Sequence, residues 1–162
     1  MFKKKNIGIL NHCAGVAHAA SHISRRLNAQ GLNINVDLVE TASWLHDIGK
    51  PVKPGLWEHV DEGVKFLQEQ GVDEKIVNLV RKHQYWGETE SVKGLSWEEK
   101  IIIIADLSFS DHIIPLSERV DDIITKYSGN GILPGQEKWL KQLSQALYRE
   151  VSEAIKPQTL PF

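Results

Sequence analysis

The run Trp44-Leu45-His46-Asp47-Ile48-Gly49-Lys50 sets an imidazole and a carboxylate side by side at the end of an apolar segment. The residues before the pair have core-facing spacing, so the pair should lie near the interior. A buried ionised carboxylate is costly unless it is paired or binds a metal. Imidazole with carboxylate is a good ligand set for a divalent transition metal. Gly49 and Pro51 then break the helix and open the pocket to solvent, which leaves Lys50 at the rim as a positive charge. Separate segments carry further candidate ligands: His12, His59, His83 and Asp106, the last attached to the apolar run 101–105. Four of these six side chains suffice for one ion, and all six can hold two ions bridged by Asp47. Helical bundles build metal sites this way, from inward-pointing side chains on facing helices.

The elements that must position these groups read as helices. Leu10, Val16, Ala19, Ala20, Ile23 and Leu27 recur at three- and four-residue steps, and Gly31 closes that helix. A second helix is expected from Asp37, as N-cap, through Leu38, Ala42 and Leu45 to about Asp47. A loop over 50–57 follows, with Pro51, Pro54 and Gly55. The third helix should span 58–70 and stop at Gly71. The fourth should run from Asp73 to Gln84, with Ile76, Leu79 and Val80 on one side. The stretch 87–94 reads as a loop, and Ser96 with Glu99 forms a capping box that starts a fifth helix. The isoleucines at 101–104 also suit a buried strand, but no second strand exists to pair with them, so the helical reading stands. A sixth, amphipathic helix covers 116–127, a loop 128–135, and a last helix 136–155 keeps Leu140, Leu143, Leu147 and Val151 in register. The expectation is an all-α single domain over residues 1–162, a bundle of six to seven helices.

Composition narrows the function classes. The chain has 162 residues, 41% hydrophobic and 25% charged, which is the balance of an ordinary globular protein. Its 19 basic and 21 acidic residues give a net charge of −2, against an extended nucleic-acid surface but compatible with a local basic pocket. Cys13 is the only cysteine, so no disulfide framework is possible and a reducing cytoplasm fits. The longest apolar run, 101–105, is far below the roughly 20 residues of a membrane span. A soluble cytoplasmic protein is expected.

With these residues in place, the chain resembles the HD-domain superfamily of metal-dependent phosphohydrolases, of the HDIG type, over about residues 9–127. His12 with Val16 and Ala17 resembles the family's first histidine helix. His46-Asp47-Ile48-Gly49-Lys50 matches its signature. Glu58-His59-Val60 with Gly63 resembles the second-metal histidine and its helix glycine. His83 resembles the next histidine, and Glu98 to Ile101 leading to Ala105-Asp106 the terminal aspartate helix. Gln84 stands where some subfamilies carry a second histidine. The Gly-Tyr-Pro triplet of cyclic-di-GMP phosphodiesterases and the acidic pair of stringent-response hydrolases are both missing. In size and ligand positions the chain is similar to the small diadenosine-tetraphosphate hydrolases of the superfamily.

The resemblance implies one or two divalent ions (Fe, Mn, Co, Ni or Zn), with His12, His46 and Asp106 on the first, His59 and His83 on the second, and Asp47 between them. It implies a metal-activated water attacking a small phosphorylated substrate, a nucleotide or another phosphate ester. Lys50 and Arg119 would stabilise the phosphate, with Arg81, Lys82 and Lys53 as further cations. Trp57, Tyr85 and Trp86 flank the ligands and could stack on a base. Two other functions share the ligand set: a diiron oxygenase, and a non-catalytic ligand sensor. His18 and His22 fall on another face of the first helix from His12 and stay out of the site. Cys13 is turned about 100° from His12 and reads as a small core residue. His112 is unassigned, and Asp111, Asp121 and Asp122 read as solvated surface. The last helix completes the core or makes a homodimer contact.

Overall fold

The computed structural model describes residues 4–84 and 92–155. Among these residues the elements are α1 (Lys4–Ala29), α2 (Val36–Leu45), α3 (Glu58–Glu69), α4 (Glu74–Lys82), a 3-10 turn (Val92–Gly94), α5 (Trp97–Leu107), α6 (Leu116–Tyr127) and α7 (Gln136–Ala154). Apart from isolated bridges at Phe109–Ile113 and Ser128–Ile132, no strand pairing is formed among them. The fold is all-α.

The isoleucine run is helical because α5 is the central element. Residues 100–107 are all buried, and α5 packs against α1, α2, α4, α6 and α7. A helix that is apolar all round belongs in a core, and here tertiary burial overrides β-propensity. Ser96 fixes the start. Its Oγ accepts from the Glu99 N–H, and the Glu99 carboxylate accepts from the Ser96 N–H at 2.7 Å. Lys100 lies inside the buried run and reaches Glu150 on α7 at 2.6 Å.

α1 lies along α2 and α5. Val16, Ala19, Ala20, Ile23 and Leu27 are buried as their spacing requires, whereas Leu10 is 51% exposed and does not belong to the core stripe. Gly31 adopts φ +93°, which lets the Leu32 N–H return to the Leu27 carbonyl at 3.2 Å. The N-cap of α2 is Asn35, not Asp37. The Asn35 side chain accepts from the Leu38 N–H at 3.0 Å, while Asp37 sits in the first turn, where its charge suits the helix dipole. α2 also ends earlier than its apolar spacing suggests. Leu45 is its last residue and His46 its C-cap, so Asp47 lies in the turns that follow.

α4 begins at an Asp73 cap and ends at Lys82, with His83 as C-cap. Its buried face is Val77, Leu79 and Val80, while Ile76 is half-buried. Part of the stretch read as loop is the 3-10 turn at Val92–Gly94; Tyr85, Trp86 and 87–91 lie outside the described residues. α6 has its expected bounds and packs on α7, whose Leu140, Leu143, Leu147 and Val151 are buried. No helix among the described residues is long and apolar enough to cross a membrane.

Candidate metal centre

Four imidazoles converge on one carboxylate, and each is anchored the same way. The Nδ1 of His12 faces the Ser110 carbonyl at 3.0 Å, that of His46 the Ser43 carbonyl at 2.7 Å, that of His59 the Gly55 carbonyl at 2.8 Å, and that of His83 the Val80 carbonyl at 2.6 Å. A carbonyl oxygen only accepts, so each Nδ1 must carry the hydrogen. The Nε2 of each ring is therefore turned toward the centre. This is the backbone anchoring that metal-binding histidines use.

Asp47 is 1% exposed and divides the cluster. Its Oδ2 lies 3.6 Å from His12 Nε2 and 3.4 Å from His46 Nε2, and Asp106 Oδ1 is 3.0 Å from His12 Nε2. Its Oδ1 faces the other way, 3.3 Å from His59 Nε2 and 3.9 Å from His83 Nε2. Within the two groups, His12 and His46 bring their Nε2 atoms to 3.3 Å, as do His59 and His83. Ligand atoms about 2.0–2.1 Å from a shared tetrahedral ion are about 3.3 Å apart.

The donor set fits divalent cations on further grounds. Asp47 Oδ1 is buried and has no hydrogen-bond partner. With His59 and His83 it forms a group of three acceptors whose atoms all lie within 4.8 Å of one another. A buried carboxylate oxygen left unpaired beside two imidazole nitrogens is costly unless a cation sits among them. Asp106 adds a second argument. It is a buried carboxylate near the C-terminus of α5, where the helix dipole disfavours negative charge. It nonetheless stays ionised: burial pushes its carboxyl up, but His12, His46 and Arg119 together hold it well below the usual range.

The remaining charges are arranged by the same competition. Burial works against a charged His46, yet Asp47 outweighs it and raises the imidazole pKa well above its ordinary value. Burial likewise works against ionised Asp47, and His46 and Lys50 overcome it and hold that carboxyl low. Burial and the neighbouring His46 push His83 down to about 3, so its ring is neutral. Lys50 Nζ sits 2.5 Å from Asp47 Oδ2. Burial opposes its charge too, and the carboxylates of Asp47 and Asp106 raise its pKa nevertheless.

Glycines bring α3 to this centre. A Cβ on Gly49 would lie 2.0 Å from the His59 carbonyl oxygen, and one on Gly63 would lie 3.2 Å from Ile48 Cγ2. The turn after Asp47 thus rests directly on the backbone of α3, which is what sets His59 against Asp47. Gly49 packs the site closed here rather than opening it to solvent.

A small chamber of about 80 Å³ adjoins the centre, lined in part by Lys50, His59, Asp106, Arg119, Lys126 and Tyr127. A wider cleft of about 360 Å³ beside it shares Lys50, Arg119, Lys126 and Tyr127 and is also lined by His12 and Asp47. Arg119 therefore does come to the centre, and its Nε is buried with no hydrogen-bond partner. Lys126 was not expected there. The signal was present, since it stands seven residues after Arg119 and so on the same face of α6. Asp122 lines the chamber as well, although its sequence reads as plain surface.

Other candidates lie elsewhere. Arg81 pairs with Glu74 and Asn78, and Lys53 and Lys82 are exposed and line neither space. Trp57 lines a neighbouring apolar cavity, and Trp86 and Tyr85 are outside the described residues. His18 is exposed, and His112 pairs with Asp111 at the surface. Cys13 is buried as expected, but its thiol is not turned away from the site: its Sγ lies within 4.8 Å of ligand atoms of His46 and Asp47.

A helical core that gathers four histidines and Asp106 around the Asp47 carboxylate carries the donor set of a metal site. The family follows from the comparisons: residues 9–111 match the HD domain, and the chain belongs to that family. The matched segment ends before α6, which supplies Arg119 and Lys126. An uncharacterized protein of Methanocaldococcus jannaschii is 30% identical over 132 residues, covering 74% of this chain and 75% of that protein. Ribonuclease Y 2 of Levilactobacillus brevis is 26% identical over 94% of this chain but only 27% of its own length, so the chain spans about a quarter of that enzyme. Among solved structures, the HD domain of the L. monocytogenes phosphodiesterase PgpH superposes with a TM-score of 0.54 at 18% identity, covering 90% of this chain and 93% of that one. The same domain in complex with cyclic-di-AMP gives 0.50 over 96% and 95%.

Proposed function

We propose that this protein is a metal-dependent phosphohydrolase acting on a nucleotide or another small phosphate ester, and that residues 1–162 work as one domain. The observation that carries this reading is the division of Asp47: its two oxygens face two separate groups of histidines, beside a rim of cations. His12, His46, Asp106 and Asp47 Oδ2 would hold one ion, and His59, His83 and Asp47 Oδ1 a second, drawn from Fe, Mn, Co, Ni or Zn. Bound ions of this class neutralise phosphate oxygens and lower the pKa of a water. Lys50 and Arg119, which line the chamber with His59 and the cleft with His12, would hold the phosphate and offset the charge that builds on it. Lys126 extends that rim. A ribonuclease and a phosphodiesterase among the similar proteins support phosphate-ester chemistry.

The test is metal analysis joined to a substrate panel of phosphomonoesters, dinucleoside polyphosphates and cyclic dinucleotides. Metal-dependent phosphate release or ester cleavage, lost together with bound metal in Asp47→Ala, is expected. Oxygen uptake by iron-loaded protein without hydrolysis would overturn the proposal in favour of an oxygenase. Saturable ligand binding without turnover would overturn it in favour of a sensor.

A further inference from the structure

The four ring anchors of the metal centre differ in one respect. His46, His59 and His83 take their carbonyls from three or four residues upstream in their own segment, at Ser43, Gly55 and Val80. The carbonyl for His12 comes from Ser110, 98 residues along the chain in the loop after α5. Asp106, near the end of α5, holds the other ring nitrogen, with its Oδ1 3.0 Å from His12 Nε2. Both nitrogens of His12 therefore depend on how the segment 106–110 sits against α1.

The backbone and hydroxyl bonds of this loop do not fix that distance. Ser108 Oγ donates to the Ile104 carbonyl at 2.6 Å, the Phe109 N–H to the Asp106 carbonyl at 3.3 Å, the Ser110 N–H to the His112 carbonyl at 3.0 Å and the Ile114 N–H to the Ser108 carbonyl at 3.2 Å. These bonds close the loop on itself and on α5, and none of them reaches α1. The Phe109 ring does. A Cβ on Gly15 would lie 2.1 Å from its Cζ, 2.2 Å from Cε1 and 2.5 Å from Cε2, so the tip of the ring stands where a side chain of α1 would be. Gly15 follows His12 by three residues, on the same side of the helix, and the Phe109 ring centroid is 6.2 Å from that of His12. Glycine is a poor residue for a helix interior, yet Gly15 stands well inside the 26-residue α1. The seat for Phe109 accounts for it.

We propose that Phe109, seated against Gly15, is a positioning residue for His12: it sets the loop against α1 so that the Ser110 carbonyl receives the Nδ1–H and Nε2 stays turned toward Asp106 and Asp47. Partners that orient a metal ligand from behind typically carry about 10- to 100-fold in metal affinity. That expected change in affinity rests on the metal-site reading above; the anchoring of the ring does not. A phenylalanine that only filled the core would add stability and leave the His12 ring as it is.

The test is proton NMR of the His12 Nδ1–H, assigned by its absence in His12→Asn, joined to a Co²⁺ titration followed by absorption. Exchange of that proton with water is slow while the Ser110 carbonyl holds it. Phe109→Leu removes the tip of the ring, and Gly15→Ala drives the ring out of its seat. In each variant the Nδ1–H should exchange fast enough to vanish from the spectrum, and Co²⁺ affinity should fall about 10-fold or more. The two effects should not add: in the Phe109→Leu background Gly15→Ala should change little, because the two residues act through one contact. Ile113→Ala, at an exposed side chain of the same loop, should match the wild type in both readings. Circular dichroism confirms that the variants fold, and the milder Phe109→Met replaces Phe109→Leu if that variant does not. A protected Nδ1–H in the folded variant at position 109 would overturn the proposal, as would full additivity of the two substitutions. A lowered Tm with both readings unchanged would reduce Phe109 to packing. If the wild-type protein takes up no Co²⁺, the metal-site reading fails, and the exchange of the Nδ1–H still decides the role of Phe109.

Discussion

The four imidazoles of the centre share one anchoring geometry but not one charge. Burial and His46 keep His83 neutral, with a pKa of about 3, whereas Asp47 keeps His46 protonated against the cost of its own burial. A cation that takes the Nε2 of His46 must displace that proton. Metal binding at neutral pH should therefore release about one proton, and affinity should rise with pH up to the raised imidazole value. Calorimetric titration of Mn²⁺ or Zn²⁺ in buffers of different ionisation enthalpy reads the number directly; no dependence on buffer would refute the assignment of His46. A second prediction concerns the rim. Lys126→Met should raise KM for a phosphate ester on the order of 10-fold, the worth of one hydrogen bond to a charged group. Lys53→Met, a cation remote from the chamber, should leave KM unchanged, as steady-state kinetics would show. The convergence of these side chains was legible in the sequence because histidine and aspartate in an apolar context have few stable roles. The place of Cys13 was not, since a thiol beside His12 in the chain gives no sign of which neighbour it meets across the core.

At the scale of elements, the site depends on contacts that leave no room for a side chain. The turn after Asp47 rests on α3, and a methyl group at Gly49 would meet the His59 carbonyl at 2.0 Å and the Gly63 nitrogen at 2.7 Å. Both are backbone atoms, so relief requires moving α3. Gly49→Ala should cost roughly 1–3 kcal/mol, the range of overpacking strain, and should also lower occupancy of the His59–His83 side of the centre. Chemical denaturation and metal analysis of the one variant check both effects; a loss of stability with full metal content would show that α3 moves without disturbing the site. Element types and most bounds could be read from spacing. Val16 through Leu27, the Ser96 capping box and the α7 stripe each carry a period that only one element satisfies. The failures occurred where spacing is silent. Asn35 rather than Asp37 caps α2 because two capping residues stand two positions apart, and only the backbone decides between them. Leu10 continues an apolar period past the point where α1 has neighbours to cover it.

Taken as a whole, the molecule is tied together at its centre: α1, the turn after α2, α3, the end of α4 and α5 each send one or two ligands to it. Without metal, Asp47 Oδ1 is left buried and unpaired beside His59 and His83, so the ions should stabilise the fold as well as serve the reaction. An ion bound only by the native state adds about 2.7 kcal/mol when it is present at 100 times its dissociation constant. For a chain of this size each kcal/mol moves Tm by about 2–4 °C, so chelation should lower Tm by roughly 5–10 °C. The metal-free form should also be the more sensitive to acid. The unfolded chain binds a proton at His83 near 6.5 and the folded one only near 3, so stability falls as the pH drops through that window. The lowered carboxyls of Asp47 and Asp106 act in the same direction at lower pH: their contribution is present above about 3.8 and is lost as the pH falls toward their folded values. His46 acts oppositely, contributing fully below 6.5 and losing its contribution as the pH rises through its raised value. Scanning calorimetry of the metal-free protein at pH 7, 5.5 and 4 should thus show a falling Tm, and saturating Mn²⁺ should restore it at pH 7. In Asp47→Asn, which removes the shared charge while keeping the side-chain shape, the Mn²⁺-dependent gain should shrink to a fraction of the wild-type shift. An undiminished gain in that variant would mean that the ions are held without the bridging carboxylate.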